Sequence, residues 1–239
     1  MVLLKACLNG GRTRAEHPAV PQRPAELAAD ARAVVAAGAR VLHLHPYDAG
    51  VETLAAEPCA AALRAVRAAW PGVPISLSTS AEIEPDPARR LAAIAGWTDL
   101  PELVSANQGE PGIVELCEHL LARGVGIEAG LLGVADAESF VRAGLAPRCT
   151  RALLEPRGAD PVAAVADAAA MEQVLAAAGV SLEQVHHGHG IATWHVMERG
   201  LARGHGTRAG LEDTTVLRDG RQAGGNLELV RAAAAMVGA

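Results

Sequence analysis

Short apolar runs and Ala-rich stretches of helical period alternate along this chain eight times without a break. The runs begin near Val2, Arg40, Val73, Glu102, Val125, Thr150, Gln184 and Gly206. Helical stretches follow each of them, over residues 25–37, 54–69, 87–94, 112–122, 136–143, 161–178, 191–199 and 227–237. Pro24 and Pro161 suit first helical turns, and Gly38, Gly124, Gly144 and Gly179 suit helix exits. Strands separated by helices must pair in parallel, and eight such units predict a (β/α)₈ TIM barrel, a single domain over residues 1–239. An open doubly wound sheet is the alternative. The barrel is preferred because no GxGxxG follows the first strand and because polar residues gather at the carboxyl ends of many runs. These are Asn9, His43, His45, Ser78, Thr79, Asn107, Glu128, Glu155, His187 and Arg208. In a barrel those ends meet at one mouth, where active sites are built. Ser78 and Thr79 also suit loop entries or helix caps.

Composition narrows the class. Half of the residues are hydrophobic but only 2% are aromatic, so the core must be built from Ala, Val, Leu and Ile. A formal charge of −6 gives no electrostatic reason to expect nucleic acid. Cys7, Cys59, Cys117 and Cys149 are scattered without a CxxC pair and read as buried small hydrophobes in a reducing compartment. The first residues turn polar too soon for a signal peptide, and no apolar run reaches membrane-spanning length. A soluble, cytoplasmic protein with no membrane partner is expected.

The sharpest chemical feature is His43-Leu44-His45 at the end of the second run. Residues two apart in a strand share a face, so both imidazoles aim at one point where the strand gives way to the loop over 46–50. That is half of a metal site, although a bare His-x-His equally suits two polar residues capping a strand. The eighth run is followed by Arg208-Ala209-Gly210-Leu211-Glu212-Asp213. If the eighth strand closes against the first, Glu212 can complete a His-His-Glu set with open coordination positions. Such a set suits Zn²⁺, and also Mn²⁺, Fe²⁺ or Co²⁺. Asp213 and Arg208 then become a base and its orienting partner for removing a proton beside a carbonyl. An acidic turn with a rim salt bridge is the plain alternative. In the cluster His186-His187-Gly188-His189-Gly190, His187 or His189 is expected to line the mouth, a second metal site being the lesser alternative. Glu128 is expected to point into the mouth, as are Glu155 and Asn107; Tyr47 and Asp48 shape the pocket or simply form the turn.

Taken together, these segments resemble the β-keto acid cleavage enzymes. The resemblance is carried by Asn9-Gly10, His17-Pro18, Pro21 and Pro24-Ala25-Glu26-Leu27-Ala28. It continues through Ala37-Gly38-Ala39-Arg40-Val41-Leu42-His43-Leu44-His45, Ser78-Thr79, the stretch from Gly204 to Asp213, and Gly225-Asn226-Leu227-Glu228-Leu229-Val230. It implies an oligomeric, zinc-dependent barrel, a dimer or tetramer, that converts a β-keto acid and acetyl-CoA into acetoacetate and a new acyl-CoA. Under it His43, His45 and Glu212 correspond to the zinc ligands, and Asp213, supported by Arg208, to the base. Ser78 would polarise or position the keto acid, and Glu128 would be a pocket carboxylate near the metal. Thr79, Asn107 and Asn9, at neighbouring strand ends, complete the expected substrate-binding set. Two departures stand out. Tyr47 occupies a position where the family commonly has an arginine, which bears on CoA handling, and the chain is short, with abbreviated loops that would otherwise set the keto-acid tail. Two other classes fit the same residues: a metal-dependent aldolase or hydrolase that does not use CoA, and a non-catalytic metal-binding barrel.

Overall fold

The computed structural model describes residues 2–238. Strand β1 (Leu4–Cys7) is followed by helix α1 (Pro24–Ala36) and strand β2 (Val41–Leu44). A short antiparallel hairpin, β3 (Tyr47–Asp48) and β4 (Val51–Glu52), leads to α2 (Ala56–Ala69). The alternation then runs β5 (Ile75–Ser78), α3 (Pro87–Ala95), β6 (Leu103–Asn107), α4 (Ile113–Ala122), β7 (Gly126–Leu131) and α5 (Val134–Ala143). It ends with β8 (Arg151–Leu154), α6 (Pro161–Ala177), β9 (Glu183–His186), α7 (Ala192–Ala202), β10 (Gly206–Ala209) and α8 (Asn226–Val237). The parallel strands close into one barrel in the order β1-β10-β9-β8-β7-β6-β5-β2. Closure is made by Leu4 opposite Thr207 on one side of β1 and Lys5 opposite Val41 on the other. This is the expected TIM barrel.

Local chemistry sets the element ends. The Asp86 and Asp160 side chains accept from Arg89 N and Ala163 N at 2.8 Å each, capping α3 and α6 immediately before Pro87 and Pro161. Gly144 ends α5 in the left-handed region at φ 67°, which glycine enters without the Cβ penalty. The hairpin was not expected from a sequence that reads as a plain loop. Its two-residue strands carry no periodic pattern, and its tip, Ala49 and Gly50, takes positive φ at both residues (48° and 84°), as tight hairpin turns require.

Outward-facing strand residues such as Leu42, Leu44, Ile75, Leu77 and Ile127 are buried under the helices with Leu63, Val66 and Phe140. Trp97 and Trp194 are buried too, each satisfying its indole N–H on a backbone carbonyl (Leu54 and Val216). All four cysteines are free and buried. Inside the barrel the middle is polar: Lys5, Ser76 and Glu128 are wholly buried there, and Arg151 nearly so. Among the described residues, no helix is long and apolar enough to cross a membrane.

Candidate active site

A cavity of about 440 Å³ opens at the carboxyl ends of the strands, with His43, His45, Ser78, Asn107, Arg208 and Glu212 in its wall. His43 ends its side chain at Nε2, 3.1 Å from Nε2 of His45. Glu212 reaches across from the loop after β10, with Oε2 3.5 Å from the first nitrogen and 3.9 Å from the second. The outer face of each ring is engaged: His43 Nδ1 lies 3.2 Å from Ser76 Oγ, and His45 Nδ1 bonds the Glu52 carboxylate on β4. The other oxygen of Glu212 accepts from Arg208 Nη2 at 2.9 Å, which leaves the buried Oε2 with no hydrogen-bond partner.

These facts test the fit to a metal. Two imidazole nitrogens and a carboxylate oxygen face one another across 3.1–3.9 Å. A tetrahedron with bonds of about 2.0–2.1 Å has edges of about 3.3 Å. The donor set therefore fits a divalent cation, which would satisfy the orphaned oxygen. Among the described residues, this is the one group of three or more potential ligands whose atoms converge within 4.8 Å. The cluster at 186–189 forms no such set. His186 turns away from the mouth and stacks on His205, with ring centroids 4.6 Å apart.

Backbone fastenings explain how distant segments meet so closely. Asn9 accepts from His45 N and donates to His45 O, at 2.9 and 2.8 Å, tying the end of β2 to the end of β1. Asn226, the first residue of α8, accepts from Leu211 N at 2.8 Å and donates to Leu8 O at 2.7 Å. Arg12 donates to the carbonyls of Leu211 and Glu212. Gly210 passes so near β1 that a Cβ there would lie 1.9 Å from the Cys7 carbonyl oxygen.

Asp213 is wholly buried beside this centre. Its Oδ1 accepts from Arg208 Nε and Nη2 at 3.1 and 2.6 Å, while Oδ2 has no partner. Arg208 also lies 3.6 Å from Glu155, and Glu155 contacts His187 and His189 at 3.2 Å each. His187 sits between two carboxylates, with Nδ1 3.6 Å from Asp213. Electrostatics sort these groups. Burial opposes the Arg208 charge, but Asp213 and Glu155 outweigh it and hold the guanidinium pKa well above its usual value. Burial likewise pushes Glu155 up, and Arg208 and His187 overcome it to hold the carboxyl well below the usual range. Burial and the Lys5 charge push His43 down, toward the neutral form a ligand needs. For His45 burial works the same way, but the bond to Glu52 and the charge of Glu212 raise it.

Ser78 and Asn107 stand in the cavity wall as expected. Thr79 and Asn9 do not; both are buried behind it, Thr79 donating to the Ser105 carbonyl at 2.8 Å. Glu128 is also misplaced by the sequence reading. It lies beneath the mouth, sealed in the barrel by Lys5 and by Arg151, whose Nη1 is 2.8 Å away. The reason is barrel stagger: the pairing line Ser78–Ser105–Glu128–Arg151–Glu183 runs from the cavity wall to the opposite end of the barrel. Sequence reasoning missed Ser76, Glu52 and Arg12. Alternation along β5 puts Ser76 on the same face as Ser78, a signal that was there to read. Glu52 carries none, because its placement depends on the hairpin.

The family model described as beta-keto acid cleavage enzyme matches residues 1–183 and 159–239 of this chain. Among solved structures, the apo form of ObcA superposes with a TM-score of 0.70 at 18% identity, covering 90% of this chain and 61% of that one. A ternary complex of ObcA with a C4-CoA adduct and oxalate gives 0.66 at 19% identity, with coverages of 90% and 62%. A binary complex of ObcA with oxaloacetate gives 0.63 at 19%, with the same coverages. The chain thus spans about three-fifths of the length of ObcA, and the likeness is one of fold.

Proposed function

Because this chain belongs to the beta-keto acid cleavage enzyme family, we propose that it cleaves a β-keto acid by exchange with acetyl-CoA, using Zn²⁺ or a related divalent metal held by His43, His45 and Glu212. One observation carries the reading. A partnerless, buried carboxylate oxygen of Glu212 faces two imidazole nitrogens, beside a second buried carboxylate, Asp213, gripped by Arg208. A divalent cation in that position supplies Lewis-acid polarisation of a carbonyl and offsets negative charge developing on it.

The residues of this chain supply the rest. Asp213, gripped by Arg208, takes a proton from the CH₂ between the keto and carboxyl groups through its partnerless Oδ2. Ser78 and Asn107 hold the keto acid in the cavity so that its carbanion meets the acetyl thioester, from which CoA thiolate leaves. The thiolate adds to the original keto carbon, the bond from that carbon to the former CH₂ breaks, and Asp213 returns the proton to give acetoacetate and the new acyl-CoA. Arg12 and Arg157, which also line the cavity, are the cations available to an anionic partner. Tyr47 is not one: a phenol carries no positive charge, and its hydroxyl is turned to the Gly10 carbonyl, to which it donates at 2.7 Å.

That replacement of the family's usual arginine favours a second reading, C–C cleavage on the same residues without CoA. The deciding experiment is a panel of β-keto acids incubated with and without acetyl-CoA, following thioesters by mass spectrometry. New acyl-CoA that appears only with acetyl-CoA is expected. Cleavage that ignores acetyl-CoA would replace the proposal with an aldolase or hydrolase, and metal binding without any turnover would leave a non-catalytic barrel.

A further inference from the structure

The proposed reaction makes no direct use of the hairpin β3–β4, yet the hairpin reaches the candidate metal centre from two sides. Tyr47 and Glu52 are directly opposed across its two strands. Opposed residues of an antiparallel pair share a face, so both side chains turn the same way. Glu52 bonds Nδ1 of His45. Tyr47 Oη instead donates to the carbonyl of Gly10 at 2.7 Å and lies 3.4 Å from that of Arg12. One cross-strand pair therefore holds a histidine of the centre with one member and the loop after β1 with the other.

That loop is shaped to lie against Glu212. Gly10 takes φ 58°, and a Cβ there would stand 2.5 Å from Glu212 Cγ. A Cβ on Gly11 would stand 3.0 Å from Oε2 of Glu52. Two glycines thus let the backbone pass between the carboxylate on the metal side and the one behind His45. Arg12 follows, donating from Nε to the Leu211 carbonyl and from Nη2 to the Glu212 carbonyl, the latter at 3.2 Å. A continuous path of hydrogen bonds and backbone then runs from the Tyr47 hydroxyl to Glu212. We propose that Tyr47 is a positioning residue: it holds Gly10–Arg12 in place, so that Arg12 fixes Glu212 at its distance from His43 and His45. The proposal rests on the metal-centre reading above. Such a brace acts before an ion arrives. The Glu212 side chain is held by Arg208 at 2.9 Å while its Oε2 stays partnerless, so order supplied through the backbone is order the ion need not impose.

Tyr47→Phe removes the hydroxyl and keeps the ring. Zinc affinity, read by chelator competition, should fall by about 3–10-fold, the net worth of one hydrogen bond expressed as binding. A merely structural loss would lower the melting temperature of the metal-free protein and leave the coordination as it was. The visible spectrum of the cobalt-loaded protein reports donor number and geometry, and it should change as Glu212 moves. Arg12→Met should weaken zinc binding at least as much, and Tyr47→Phe added to it should cost little more, because both act on one path. Val51→Ala, on the same hairpin but 69% exposed, should leave zinc affinity unchanged. A Tyr47→Phe protein with wild-type zinc affinity or a wild-type cobalt spectrum overturns the proposal. So do fully additive losses in the double variant, or an equal loss in Val51→Ala, which would assign the effect to the hairpin at large. Failure of the metal-centre reading looks different: wild-type protein then takes up neither zinc nor cobalt, and the proposal falls with it.

Discussion

Gly210→Ala should dismantle the candidate metal centre without touching a ligand. The added Cβ would lie 1.9 Å from the carbonyl oxygen of Cys7 and 2.7 Å from its carbon, both backbone atoms of a barrel strand. Ordinary C···O approaches are about 3.3 Å, so the chain after β10 must retreat by about 1.4 Å. Glu212 is two residues further on, and its backbone N–H reaches the same Cys7 carbonyl at 3.4 Å, so the carboxylate moves with it. Metal–ligand distances tolerate about 0.2 Å, and the displacement is several times larger. Zinc affinity should fall by about 10²-fold, equivalent to about 2.8 kcal/mol. Turnover should fall by about as much, since Asp213 shares the displaced loop. Overpacking of this kind costs about 1–3 kcal/mol of stability. For a chain of this size that lowers Tm by about 2–12 °C and leaves the barrel folded at room temperature. Chelator competition for zinc, with thermal melts beside it, reads both effects. Gly158→Ala, whose Cβ would meet nothing within 4 Å, is the control. A Gly210→Ala protein with unchanged zinc affinity would show that the approach of this loop to β1 does not place Glu212.

Glu52→Ala removes the carboxylate behind His45, and metal affinity should drop by about 10–100-fold in the same competition assay while the melt changes little. Asp213→Asn should keep zinc bound but lose about 10²–10⁴-fold in kcat, because the amide cannot accept the substrate proton; full activity would exclude Asp213 as base. Away from the mouth, Glu172 is gripped by Arg199, Arg203 and His205. Burial pushes its carboxyl up, but the bonds from His205, Arg199 and Arg203 outweigh that and bring it from 4.5 down to about 2. A depressed folded-state pKa means stability that is present above pH 4.5 and lost as the pH falls toward 2. Acid melts of Glu172→Gln should therefore lack the part of that decline seen in the parent between those values.

Legibility in the sequence followed the range over which its signals act. Alternation of runs and helical stretches is local and redundant, so the barrel could be read from it. Period two along β2 was enough to put His43 and His45 on one face. Arg208, Glu212 and Asp213 are neighbours in the chain, so their mutual contacts at 2.6–2.9 Å were within reach of spacing alone. Depth along the barrel axis was not. Glu128 and Ser105 are paired neighbours, yet Ser105 lines the mouth and Glu128 lies sealed below it, because a closed barrel staggers its strands.

By itself, then, the order of residues determines which side chains share a strand face or a turn, since those relations depend only on φ, ψ and steric period. Tertiary structure alone decided that Glu212 meets His43 and His45 across the seam between β10, β1 and β2, that the Glu52 hairpin folds back onto His45, and that the lone lysine sits beneath the mouth. The first of these joins residues 169 positions apart in the chain, His43 and Glu212. Ring closure and the register of eight paired strands set them, and no single stretch of sequence encodes either.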